Sequence, residues 1–340
     1  MLLKATENHP DKKTKPISLR LILVVPFVLQ IFAAVGLVGY LSFRNGQKAV
    51  NDLGNQLIDK ASQQIDDHLD TYLALPHQLN QINVDAIASK ELNLNDTAAS
   101  QRYFWRQAKA FKNLSYIGYT GNDGREMGAG RWINGQDLLL YEKLPGNGRS
   151  SDYTADETGH PAKLVQTYNY DPLSEPWFKQ TVAAGKPIWS RITAANYNNG
   201  QVTETAKTLA TEDSPINSSI EYYVTASATS PLYDKNHKLL GLVIIDLLVT
   251  DISKFLRNIK VSPKGQVFII ERDGMLVGSS STYPILHKVN NKAERFSVLN
   301  SPDPLIRSIS ENLSKKFKSF QLLDKNQELN ITFNGEHHYI

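Results

Sequence analysis

Residues 114–132 read LSYIGYTGNDGREMGAGRW. From Leu114 the helical period of the preceding sequence stops, and Asp123-Gly124 is a dipeptide that suits a tight turn. Gly accepts positive φ there, and Asp bonds its own backbone. The pattern predicts a strand over 114–119, a turn over 120–124 and a second strand over 125–132. Strand, Asp273-Gly274 and strand follow again in that order across 267–279. Gly128 lies four residues after Gly124, and Gly278 lies four after Gly274. Two such hairpins in matching context point to a duplicated fold unit.

The intervening sequence fills in the class. A helix is expected over 97–111, with Asp96 as N-cap. Residues 135–159 are polar and carry Gly146 and Gly148, which reads as loop. A short strand is expected over 163–169. Residues 175–184 look helical and stop at Gly185, a natural C-terminus. Strands follow over 188–193, over the alternating 221–233, and over 239–249, which is apolar enough for a central strand. Residues 251–259 read as a helix joining the two units. Residues 304–317 form an apolar-periodic helix, and 327–333 begins a further strand, so the second sheet is expected to be unfinished at Ile340. Hairpin-joined strands with helices to one side make an α+β protein on mainly antiparallel sheets.

Upstream, residues 21–43 hold no charge, and only Gln30 and Ser42 are clearly polar. Roughly 20 apolar residues cross about 30 Å of hydrocarbon as a helix. A secretory signal peptide has a shorter apolar region, followed by a small-residue cleavage site. Here Arg44 and a continuing helical pattern follow, which favours an uncleaved transmembrane helix. Lys4, Lys12, Lys13, Lys15 and Arg20 precede the span, so the tail is expected in the cytoplasm and everything past Phe43 outside. Val50, Leu53, Leu57, Ala61, Ile65, Leu69 and Tyr72 then recur at helical spacing, which Pro76 is expected to interrupt. That long amphipathic helix either packs on its own domain or also meets a second copy along part of its seam.

Composition narrows the chemistry. A net charge of +3 over 340 residues, with much of the basic excess in the tail, asks for no nucleic-acid partner. The absence of cysteine removes disulfides and thiolate chemistry. The G-x-S-x-G, H-E-x-x-H and P-loop signatures do not occur, so no catalytic residues and no cofactor are expected. His337 and His338 are neighbours on an expected strand and point oppositely, which is poor chelating geometry; no metal ligands are expected. A small-molecule pocket needs aromatic walls and a few placed polar groups. Trp132, Tyr170, Trp177, Trp189 and Tyr197 are candidate walls, with Tyr119, Phe178 and Tyr223 beside them, although aromatics on a sheet face are often simply core. Asp171 and Glu175 are nearby carboxylates. Asp246 closes an apolar strand, where an ionised group is costly unless partnered. It either makes a salt bridge or cap at the strand end, or meets a ligand.

These pieces carry a resemblance. Tyr170-Asp171-Pro172 with Pro176-Trp177-Phe178, then Ala184-Gly185-Lys186-Pro187-Ile188-Trp189-Ser190, run in an order similar to the double Cache sensors of bacterial transmembrane receptors. Leu240-Gly241-Leu242-Val243-Ile244-Ile245-Asp246-Leu247, Ser262-Pro263-Lys264-Gly265-Gln266-Val267-Phe268-Ile269-Ile270-Glu271 and Ser301-Pro302-Asp303-Pro304-Leu305-Ile306-Arg307 continue it. The resemblance implies two tandem PAS-like (Cache) domains on a long helix, the membrane-distal one holding a small-molecule ligand. It also implies that this chain is the N-terminal part of a longer receptor, a histidine kinase or nucleotide cyclase. The alternatives are a chemoreceptor or a single-pass tethered binding protein.

The organisation expected on this basis is a cytoplasmic tail (1–20), transmembrane helix (21–43), stalk and packing helices (44–112), distal domain (113–250) and proximal domain (251–340). The expected partners are a lipid bilayer, a second copy of the chain and a small ligand. Members that bind amino acids carry an Arg before the Pro-Trp pair to hold the ligand carboxylate, and this chain has Glu175 there. The Tyr and Asp expected after Trp189-Ser190 are replaced by Ile192 and Ala194. By resemblance Asp246 binds a cationic group, and Glu175 with Asp246 would favour an amine. If Glu175 faces solvent instead, an uncharged or unrelated ligand is used.

Overall fold

The apolar and amphipathic runs near the N-terminus join into one helix, α1 (Leu19–Ala88), which passes both Pro26 and Pro76 without a break. The interruption expected at Pro76 is therefore not found. The computed structural model describes residues 18–132, 137–146, 149–195, 201–202, 223–262, 264–289, 292–323 and 329–340. The chain forms two units, Met1–Asp59 and Lys60–Ile340. In the first, Phe27, Phe32, Val35, Val38 and Phe43 of α1 are exposed. By length and composition α1 is long and apolar enough to cross a membrane. Further along it, Val50, Leu53 and Leu57 are 69%, 58% and 43% exposed.

In the second unit α1 buries Ala61, Leu79 and Ala86. The helix α2 (Thr97–Ala110) follows, with Asp96 Oδ1 accepting from the Ala99 N–H at 2.9 Å. An antiparallel sheet is then built from β1 (Tyr116–Gly121), β2 (Glu126–Gly130), β3 (Leu139–Lys143), β4 (Arg149–Ala155) and β5 (Pro161–Asn169). Strands β3 and β4 fall where the sequence reads as loop. The polar residues that suggested exposure are interior: Ser150 and Asp152 are buried on one side of β4, and Leu139, Leu140 and Tyr141 are buried in β3.

A short α3 (Pro176–Ala184) ends at Gly185. The expected 188–193 strand is split into β6 (Ile188–Trp189) and β7 (Thr193–Ala195). After β8 (Gln201–Val202) come the long β9 (Tyr223–Tyr233) and β10 (Leu239–Leu248). The ten-stranded order is β6-β9-β10-β1-β2-β3-β4-β5-β8, with β7 also on β9. β10 is apolar because it is covered on both faces. Val243, Ile245 and Leu247 pack toward the helices with Ile117, Met127, Ala129, Phe104 and Trp105. Leu242 and Ile244 pack on the other face with Tyr116, Leu139 and Trp177.

The chain leaves β10 directly into α4 (Val249–Asn258), whose Ile252 and Leu256 meet Val277. Three two-stranded hairpins follow: β11 (Phe268–Ile270) with β12 (Leu276–Ser279), β13 (Leu286–Val289) with β14 (Lys292–Arg295), and β15 (Asn330–Phe333) with β16 (Glu336–Tyr339). The β13–β14 hairpin had no counterpart in the sequence reading. Between the last two hairpins lies α5 (Pro304–Phe317), capped by Asp303, which also accepts from the Ser281 hydroxyl at 2.5 Å.

Both Asp-Gly turns form as expected. Gly124 and Gly274 have φ of +79° and +86°, and the carboxylates of Asp123 and Asp273 accept from the N–H two residues on. The Gly124 N–H donates to the Gly121 carbonyl, and the Gly274 N–H to that of Glu271. The same backbone turn also closes β4–β5 at Asp156–His160 and β9–β10 at Asp234–Lys238. It serves four hairpins, so this turn alone does not mark a repeat.

Candidate functional site

Cross-strand register assigns side chains to the face of the sheet turned away from α1 and α2. Tyr116 lies between Gly130 and Asp246, Gly118 between Gly128 and Ile244, and Thr120 between Glu126 and Leu242. Across β3 and β4, Glu126 faces Lys143, and Gly128 faces Tyr141, which faces Asp152. Residues directly opposite one another share a face. The floor is bare at Gly118 and Gly128, where a Cβ would stand 2.5 Å from the Tyr116 hydroxyl. Tyr116, Trp132 and Tyr141 meet edge to face, with centroids 5.7–6.3 Å apart.

The helix α3 is set on the β9 end of this face. Pro176 opens it, a position where its missing N–H costs nothing. Trp177, Phe178 and Thr181 are buried, and the Thr181 hydroxyl lies 2.6 Å from that of Thr229 on β9. The Trp177 indole N–H donates to the Tyr170 hydroxyl at 3.4 Å.

Three carboxylates are buried on this face. Asp152 accepts from Gln166 Nε2 at 2.6 Å, and from Trp132 Nε1 and the Tyr168 hydroxyl at 3.3 Å each. Burial pushes it up to about 7 despite these donors. Glu126 is 4% exposed and is pushed up to about 8, first by burial. The Tyr141 and Thr120 hydroxyls and the Lys143 ammonium act downward, while Asp246 adds a like charge. These hydroxyl contacts are loose: Glu126 Oε2, Thr120 Oγ1 and Gln166 Oε1 complete no well-formed hydrogen bond among the described residues. Asp246 is 6% exposed, and its backbone carbonyl accepts from the Ser115 N–H and hydroxyl. An aromatic enclosure with buried acceptors in excess of donors suits a ligand rich in N–H or O–H groups.

The residues singled out from sequence divide accordingly. Trp132, Tyr170, Trp177 and Asp246 are brought to this face, with Phe178. Glu175 is half-buried at the N-cap position of α3 and makes no side-chain cap bond. Its carboxyl is raised by burial and by Asp171, against Lys179. Asp171 is exposed and caps the turn at Pro172–Ser174, accepting from the Leu173 N–H at 3.2 Å. Trp189 is not brought to this face: it pairs with Ala228, packs toward the helices and meets the His77 ring edge-on at 5.2 Å. Tyr119 also faces the helices. Tyr197 and the side chain of Tyr223 lie outside the described residues.

Sequence reasoning missed Glu126, Tyr141, Asp152 and Gln166. Tyr141 and Asp152 sat in the segment read as loop. Glu126 had a visible signal, since it shares strand parity with Gly128 and Gly130 while Met127 and Ala129 take the apolar side. A separate depression of about 510 Å³ lies off this face, between Lys90, Asn93, Asn95 and Arg125. Its Arg125 is already paired with Asp123 at 2.7 Å. Among the described residues no group of three or more His, Asp or Glu is placed to hold a metal.

The family model described as the Cache domain matches residues 46–340. Among solved structures, the ligand-binding domain of the Campylobacter jejuni chemoreceptor Tlp3 in complex with 4-methylisoleucine aligns at a TM-score of 0.46 and 10% identity. That alignment covers 84% of this chain and 82% of the other. The ligand-binding domain of the Pseudomonas aeruginosa PAO1 amino acid chemoreceptor PctC, in complex with GABA, aligns at 0.42 and 13% identity, covering 84% and 90%. No curated protein matches the chain.

Proposed function

We propose that this chain, which belongs to the Cache domain family, is the extracytoplasmic ligand-sensing module of a membrane signal-transduction receptor. The parent receptor is a histidine kinase or nucleotide cyclase, with a chemoreceptor as the second reading. The module works by ligand-biased rearrangement: a ligand shifts a receptor only as far as its affinities for two states differ. The proposed organisation is a cytoplasmic tail at 1–20, a membrane helix at 21–43, helices at 44–112, a ligand-holding distal domain at 113–250 and a proximal domain at 251–340. The unburied, charge-free run in α1 and the basic residues before it support the membrane assignment and its orientation. The exposed Val50, Leu53 and Leu57 support pairing of α1 with a second copy.

The ligand belongs on the face covered by α3, and it is an amine. The observation that carries this is the burial of Glu126 and Asp152 on one aromatic face, with Lys143 opposite Glu126. Buried carboxylates are costly without a counter-charge, and an ammonium supplies one. The experiment is a thermal-shift screen of the detergent-solubilised full chain against amines, amino acids, organic acids and sugars. Stabilisation by an amine, abolished in Asp246→Ala, is expected. Tight binding of an ordinary amino acid through its carboxylate would overturn the cation reading.

A further inference from the structure

We infer that Glu126 and Thr120 form the anchor for the ligand's charged end, and that this end is an ammonium with N–H groups to donate rather than a quaternary one. The inference rests on the cation reading above and sharpens it. Thr120 and Glu126 are direct cross-strand partners on β1 and β2, so their side chains stand together on the face covered by α3. Both are buried; the Thr120 and Tyr141 hydroxyls approach the Glu126 carboxyl, yet Oγ1 and Oε2 complete no well-formed hydrogen bond among the described residues. Buried polar atoms so weakly partnered are uncommon in folded proteins and suit a stronger donor than a neighbouring hydroxyl.

The surroundings narrow the donor. Lys143 is directly opposite Glu126 on β3, yet the described residues include no ion pair between them. Asp246 adds a like charge from the same face, Leu242 lies across from Thr120, and Tyr141 lies one register step away on β3. The Tyr116 hydroxyl lies over the bare backbone of Gly118 and Gly128 beside them. A primary or secondary ammonium meets both needs at once: the Glu126 carboxyl releases its proton to solvent as the ammonium binds, and the ammonium then balances the carboxylate and donates to Oε2 and Oγ1. A trimethylammonium group carries the charge but no donor, so it gives neither oxygen a hydrogen bond.

The site differs from the one the sequence suggested. Glu175 is half-buried at the start of α3, whereas Glu126 is on a strand of the floor itself. Asp152 already accepts three side-chain donors, so Glu126 is the carboxylate with an open oxygen.

The test is isothermal titration of the detergent-solubilised full chain with 1,4-diaminobutane and with its bis(trimethylammonium) analogue. Wild type should bind the diamine at least tenfold more tightly than the analogue, as expected for hydrogen bonds to a charged group. Glu126→Gln should weaken the diamine about tenfold or more and remove the preference. Thr120→Val, which keeps the side-chain volume, should weaken the diamine severalfold and carries the test if the Glu126 variant fails to fold. Unchanged diamine binding in Glu126→Gln, or equal binding of the two probes to wild type, would overturn the inference. Diamine binding lost in Asp246→Asn but intact in Glu126→Gln overturns this anchor and leaves the cation reading standing. Binding of an organic acid or sugar, lost in Trp177→Ala, with no diamine binding at all, overturns both.

Discussion

Glu126→Gln isolates the electrostatic cost built into the buried face. The carboxyl is held at about 8, against an ordinary value of 4.5. Between those values the unfolded chain has released the proton and the folded chain keeps it. Stability must then fall as pH rises, by about 1.4 kcal/mol per pH unit for one group. None is lost below the lower value, and the loss is complete above the upper one, about 5 kcal/mol in all by the same slope. Asp152, raised to about 7, adds a similar slope ending lower. Because Asp152 is present in both proteins, the difference between wild type and Glu126→Gln removes its share. The assay is the melting temperature of the ligand-free full chain from pH 5 to 8. At roughly 2–4 °C per kcal/mol for a large domain, wild type should lose about 3–6 °C per pH unit more than the variant. Parallel curves would refute the argument, because a carboxyl that ionises freely in the folded state cannot couple to folding in this window.

Other consequences follow from the same structure. An extracytoplasmic reporter fused after Gln201 should be active and one fused before Leu21 inactive; the reverse would overturn the orientation drawn from the basic tail. Single cysteines at Val50, Leu53 and Leu57 should cross-link between copies, since these residues are exposed, whereas Ala61 is 6% exposed and should stay unlinked. Uniform absence of cross-links would remove the pairing. Gly128→Ala places a Cβ 2.5 Å from the Ile117 carbonyl and the Tyr116 hydroxyl, so it should cost about 1–3 kcal/mol. An unchanged melting temperature would show that the floor is not tightly packed.

What the sequence disclosed depended on how local each signal was. α2 with Asp96, α3 ending at Gly185, and α5 starting after Asp303 were legible because caps and periodicity are properties of adjacent residues. β10 was legible because burial on both faces leaves a continuous apolar run. Strands β3 and β4 were hidden because their inward positions include Ser150 and Asp152, polar residues whose cost is met by partners far along the chain, such as Gln166 and Tyr168. The site was half legible for a related reason. Trp132, Trp177 and Asp246 stood out by type, but which face a strand residue takes is set by register. Register places Trp189 opposite Ala228 and away from Asp246, which lies opposite Ser227. Glu175 and Asp171 drew notice through the Pro-Trp segment, yet one sits at a helix start and the other in a turn cap.

The central claim is that ligand binds on the α3 face and not on the helix-covered one, and the tryptophans divide between the two. Of the chain's four, Trp132 and Trp177 lie on the α3 face, while Trp105, on α2, and Trp189 pack in the core on the helix-covered side. The measurement is fluorescence titration of two double variants with the compound that most raises the melting temperature in the screen. With Trp105→Phe and Trp189→Phe, the remaining Trp132 and Trp177 emission should shift in intensity and wavelength on binding. With Trp132→Phe and Trp177→Phe, the remaining emission should stay flat even where the calorimeter still detects binding. A response confined to Trp105 and Trp189 would place the ligand on the wrong side of the sheet for this account.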